Sequence, residues 1–153
     1  MIIKNSTKGN ITIWMSIAVV VLVLGGLFAL TKLERNKVLT DVPCLVPNLP
    51  LVIHIHPELE IEVDGVREIV PKDIGVGGVC ERALHTHDET GQLHVEAQVV
   101  RDYHLQDFFD VWGRGIEREG YEVSMMVDGV VSTEYGGLLL KDEQKIGLSY
   151  KKK

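Results

Sequence analysis

The chain has 153 residues, with 22 acidic and 16 basic side chains, six histidines, two cysteines and a formal net charge of −6. That length accommodates one ordinary globular domain and excludes barrels and doubly wound enzymes, which need well over roughly 200 residues. The averages hide a division: the first 32 residues carry Lys4, Lys8 and Lys32 and no acid, so every acidic residue and every histidine follows them. A strongly acidic remainder argues against a nucleic-acid partner.

Residues 11–30 (ITIWMSIAVVVLVLGGLFAL) contain no charge. Twenty residues rising about 1.5 Å each give about 30 Å, the thickness of the hydrocarbon core, and predict a transmembrane helix behind a short tail, residues 1–10. The run is longer than a secretory signal's apolar region and leads into Lys32, Glu34 and Arg35 rather than a small-residue cleavage site, which favours an uncleaved anchor. Lys4 and Lys8 oppose Lys32, Arg35 and Lys37, a near balance of flanking charge. A short tail before one helix and an acidic bulk behind it is the usual signal-anchor layout, so the expected arrangement is a cytoplasmic N-terminus and an extracytoplasmic C-terminal domain.

Residues 31–50 form a linker containing Pro43, Pro47 and Pro50. Prolines remove backbone donors and fix φ, so an extended spacer is expected. Residues 51–153 read as a His-rich β domain. Ile53, Ile55, Leu59, Ile61 and Val63 alternate with His54, His56, Glu58, Glu60 and Glu62, the period of a half-buried strand in which Pro57 must sit at an edge or bulge. Asp64-Gly65 then signals a type I′ hairpin into residues 66–70. A second hairpin is expected over residues 82–100, divided by Asp88-Glu89-Thr90-Gly91. Leu105, Phe108, Phe109 and Trp112 recur at helical spacing before Gly113, which predicts a short amphipathic helix. Strands follow at 123–127, 130–132, 138–140 and 146–150, with Asp128-Gly129 as another hairpin centre. The fold class is therefore one N-terminal transmembrane helix plus a mainly antiparallel β domain, β-grasp-like or a small sandwich, with one short helix. Val63-Asp64-Gly65-Val66 and Val127-Asp128-Gly129-Val130 are the same four residues in the same order, but Val-Asp-Gly is ordinary hairpin chemistry and duplication is the weaker explanation.

The histidines carry the chemistry. His54-x-His56 and His85-x-His87 each project two imidazoles from one strand face. A four-residue turn at 88–91 pairs His85 with His94 and His87 with Gln92, and directly opposed residues have Cβ atoms about 4.5–5.5 Å apart. His85, His87 and His94 then line one face with Glu96, giving three nitrogen ligands and a carboxylate suited to copper or zinc. A turn one residue longer or shorter would send His94 to the other face. The competing explanation is that the histidines merely decorate half-buried strands and bond to acidic neighbours. His54 and His56 complete this site, form a second one, or line an edge; His104 is structural. Cys80 either supplies a thiolate to the metal or pairs with Cys44, and the sequence leaves the two open.

Glu89 lies only two residues beyond His87, too close for a cupin pattern, and the His-x-His of amidohydrolases belongs to barrels larger than this domain. No phosphate-binding glycine loop, Ser-His-Asp set or zinc-finger spacing is present. The set His54-Ile55-His56-Pro57, Cys80, Leu84-His85-Thr86-His87-Asp88, Gly91, His94-Val95-Glu96 and Leu105 through Phe108-Phe109 to Trp112-Gly113 resembles a group of small, often membrane-anchored prokaryotic proteins. The resemblance covers about residues 52–150 and implies one domain type, with no activity attached. The stretch from Val127 to Ile146 is similar to the closing strands of β-grasp domains.

The leading expectation is a membrane-tethered domain that binds copper or zinc for metal handling or support of a membrane redox system. Its ligands would be drawn from His85, His87, His94, Glu96, His54, His56 and Cys80. The second is a non-catalytic interaction module, an accessory subunit of a membrane protein complex. The third is a small metalloenzyme with Glu96 or Asp88 as general base beside a metal-bound water.

Overall fold

A computed structural model describes residues 40–78 and 80–153. The tail at 1–10, the expected anchor at 11–30 and the first part of the linker lie outside the described residues. Among those described, no helix is long and apolar enough to cross a membrane.

The elements are β1 (Ile53–Ile55), β2 (Glu58–Val63), β3 (Val66–Glu68), β4 (Leu84–His85), β5 (His94–Ala97), α1 (Leu105–Trp112), β6 (Tyr121–Val127), β7 (Val130–Ser132) and β8 (Lys145–Lys152). They build two sheets, a three-stranded one in the order β1-β5-β4 and a five-stranded one in the order β3-β2-β8-β6-β7. The larger is mixed rather than antiparallel throughout: β2 runs parallel to β8, pairing Leu59 with Ile146 and Ile61 with Leu148. Parallel pairing needs a long crossover, and here β4 and β5 of the smaller sheet and α1 are among the elements that lie between the two strands in sequence.

The alternation at 53–63 is not one strand. It breaks at His56-Pro57, where the chain leaves one sheet for the other. Proline cannot donate to a ladder, and the Pro57 carbonyl instead accepts from Leu93 N–H at 2.8 Å. The apolar positions on both sides of the break still face the core: Leu59 and Ile61 are buried, while Ile53 and Ile55 pack against the same cluster. The cluster also takes Leu84, Val95 and Ala97 from the smaller sheet, Met125, Ile146, Leu148 and Tyr150 from the larger, and Leu105, Phe108 and Phe109 from α1.

Both Asp-Gly turns have positive φ at both residues, 50° and 82° at Asp64-Gly65 and 50° and 80° at Asp128-Gly129, as type I′ hairpins require. The two aspartates clamp opposite ends of β8. Asp64 Oδ1 accepts from Lys152 N–H at 2.9 Å, and Asp128 Oδ1 accepts from Lys145 N–H at 2.8 Å. α1 begins at His104, whose N–H donates to Asp107 Oδ2 at 2.8 Å, and ends at Gly113 with φ 73°.

Two further expectations change. Residues 138–140 are not a strand: Tyr135–Gly137 forms one 3-10 turn, and a single bridge joins His104 to Leu139. The proline segment is no free spacer from Val42 onward. Val42 is buried, Cys44 bridges Arg82, and the Gln98 side chain bonds the backbone of Val46 and Leu49.

Candidate metal centre

β5 is the central strand of the smaller sheet, and its alternation makes two faces. Val95 and Ala97 point into the core, while His94 and Glu96 point away and stay half-buried. Antiparallel pairing sets His85 opposite His94 on one side and His54 opposite Glu96 on the other. The three short His-x-His and His-x-Glu segments therefore meet on one face. The Leu84–Val95 and His85–His94 register is the one a four-residue turn at 88–91 requires. The expected His87–Gln92 pair does not form, because Gln92 bridges Glu58 of the larger sheet instead.

The donor atoms of His85, His87, His94 and Glu96 lie within 4.8 Å of one another. Two ligands held about 2.0–2.1 Å from one ion in tetrahedral directions are about 3.3–3.4 Å apart, so shifts of less than about 1 Å in each side chain close the shell. His85 Nε2 and His87 Nε2 already sit 3.1 Å apart. The group is able to hold a metal ion.

Local structure fixes the first ligand. His85 is fully buried, and its Nδ1 lies 2.8 Å from the Arg82 carbonyl, which can only accept. Nδ1 therefore carries the proton and Nε2 offers its lone pair toward His87, the arrangement a metal-bound imidazole needs. Between the two histidines, buried Thr86 is bonded on every polar group. Its N–H donates to Ile74 O at 3.0 Å, its carbonyl accepts from Asp73 N–H at 3.0 Å, and its hydroxyl accepts from Ile74 N–H at 3.1 Å and donates to Pro71 O at 2.8 Å. This anchor holds β4 by the residue that faces away from the ligands.

Burial pushes the His85 imidazole below its ordinary pKa, against the opposing pull of the Arg82 carbonyl and Glu81. Burial does the same to His94, reinforced by the neighbouring His87 and His85 rings. Both are thus held neutral, the ligating form. His94 Nδ1 is buried with no hydrogen-bond partner among the described residues. Glu96 Oε1 stands 3.4 Å from it without hydrogen-bond geometry. A buried imidazole nitrogen left in this way is a group that an ion would satisfy.

His54 Nε2 is also 3.4 Å from Glu96 Oε1, and His54, His56 and Glu96 form a second convergent group. His104 stands apart at the start of α1. Cys80 is bonded to Cys44, with Cα atoms 5.7 Å apart, so its sulfur is not an available thiolate and it leaves the ligand set. Two acidic neighbours escaped the sequence reading. Glu81 Oε1 lies 3.5 Å from His85 Nε2, and nothing in the sequence marks that contact, because a spacing of four brings side chains together on a helix and not along a strand. Asp142 Oδ1 accepts from His56 N–H at 2.8 Å across 86 residues, and no sequence signal marks that pairing.

In comparisons with known proteins, the chain matches no family model, no curated protein and no solved structure.

Proposed function

We propose that this protein is a membrane-tethered metal-binding domain that holds copper or zinc through His85, His87, His94 and Glu96, for metal handling or support of a membrane redox system. The observation that carries the reading is the convergence of three imidazoles and one carboxylate on a single sheet face, with His85 locked in the ligating tautomer. Acidic side chains stand beside several of these histidines, as decoration of strands alone would give, but His85 and His87 also turn their Nε2 atoms on each other at 3.1 Å. Four protein ligands make a closed shell, which suits storage or transfer better than hydrolysis at an open position.

The Cys44–Cys80 disulfide supports an extracytoplasmic location, since such bonds persist in oxidising compartments. The uncharged run at 11–30 would be the tether. We read the five-stranded sheet as β-grasp-like, because β2 and β8 lie parallel at its centre with a hairpin on either side. The test is metal analysis of the purified full chain. Stoichiometric copper or zinc, lost in the His85→Ala/His87→Ala variant, supports the reading; a metal-free chain that takes up neither ion after purification overturns it.

A further inference from the structure

The histidine face is larger than one ion needs. His56 continues the β1 register to stand beside His94, with ring centroids 4.7 Å apart, and His54 and His56 are themselves 4.7 Å apart. The two convergent groups, His85/His87/His94/Glu96 and His54/His56/Glu96, have one member in common. That member is central: Glu96 Oε1 lies 3.4 Å from His94 Nδ1 on one side and 3.4 Å from His54 Nε2 on the other.

We propose that this face binds two divalent copper or zinc ions bridged by the Glu96 carboxylate, the inner one on His85, His87 and His94 and the outer one on His54 and His56. The proposal rests on the reading of the inner site given above. A single carboxylate standing between the two groups is placed to bridge ions at the separation of about 3.5–4 Å found in two-metal centres. Acidic groups border both halves, as the added charge requires. Glu81 lies 3.5 Å from His85 Nε2, and Asp142 lies 3.9 Å from His56 Nδ1.

The two halves differ in access. His85 is fully buried, whereas the His54 side chain is 54% exposed. An open groove lined by His56, Glu58, Gln92, Asp142 and Lys145 leads to the outer half. With two imidazoles and a shared carboxylate, the outer ion keeps positions open to solvent and is the exchangeable one.

The full chain in mild detergent, stripped with a chelator, is titrated with Cu²⁺ and followed by metal analysis and electron paramagnetic resonance. The expected result is two equivalents, the second weaker, with the spin–spin coupling of two nearby Cu²⁺ ions. His54→Ala/His56→Ala should take up one equivalent and show an uncoupled spectrum, with its fold checked by circular dichroism. A single equivalent in both wild type and that variant overturns the second ion and leaves the inner site standing. Two equivalents without coupling overturn the bridge. No uptake at all removes the inner site, and the proposal with it.

Discussion

His85 and His94 face each other as directly opposed residues of β4 and β5, their rings stacked 5.3 Å apart and 13° from parallel. One comes from the floor of the domain and the other from its half-buried face, so the pair joins the core to the surface at the candidate centre. The integrity of that pairing decides what substitutions around it should do.

Thr86 is the first test. Thr86→Val removes a hydroxyl bonded to Ile74 N–H and Pro71 O and leaves both backbone groups short of a partner. A loss of about 1–3 kcal/mol is expected in urea unfolding of the metal-free chain. Metal affinity should fall as well, because the residue between two ligands is no longer held; unchanged affinity would show that Thr86 does not position them.

Gly75 packs against the same strand. Its φ is 73°, and a Cβ there would collide with the Leu84 carbonyl and stand 3.2 Å from His85 Cβ. Gly75→Ala therefore carries about 1–2 kcal/mol of left-handed backbone cost before any clash is relieved. A thermal melt should show a clear drop, with weaker metal uptake; a melt within error of wild type would refute the close approach.

The disulfide separates stability from ligation. Cys44 and Cys80 are 36 residues apart, a closure worth about 4 kcal/mol in the chain-entropy description. Cys44→Ala/Cys80→Ala should lower the midpoint of unfolding yet keep its metal at temperatures where it is folded. Loss of metal from the folded variant would return Cys80 to the ligand set.

Acid should weaken the metal-free domain from about pH 6.5 downward. Above the ordinary imidazole value of about 6.5, His85 and His94 are neutral in both folded and unfolded chains and contribute no pH dependence. Below it the unfolded chain takes up protons that burial denies the folded one, so stability falls until the lowered folded values are reached. Urea midpoints measured between pH 8 and pH 5 check this, and a flat or rising trend on acidification would contradict it.

Much of the β domain is legible from local chemistry. Asp64-Gly65 and Asp128-Gly129 admit type I′ turns, and the spacing of Leu105, Phe108, Phe109 and Trp112 matches a helix whose apolar face buries the first three. The His85–His94 register follows from the length of one turn. Long-range partners are another matter. Nothing in the alternation at 53–63 says that Pro57 divides two sheets, that β1 joins β5, or that β2 runs parallel to β8, because period two is the same whichever strand lies alongside. The placement of His54 and His56 beside Glu96 depends on that choice of neighbour, and the removal of Cys80 from the ligand set depends on a separate long-range bridge that brings Cys44 to Arg82.

X-ray absorption at the metal edge of the loaded full chain tests the central claim most directly. A bound copper or zinc ion should show a first shell of nitrogen and oxygen at about 2.0–2.1 Å with outer-shell scattering from imidazole rings, diminished in His85→Ala/His87→Ala. A shell of oxygen alone without imidazole scattering, or sulfur at about 2.3 Å, would contradict it.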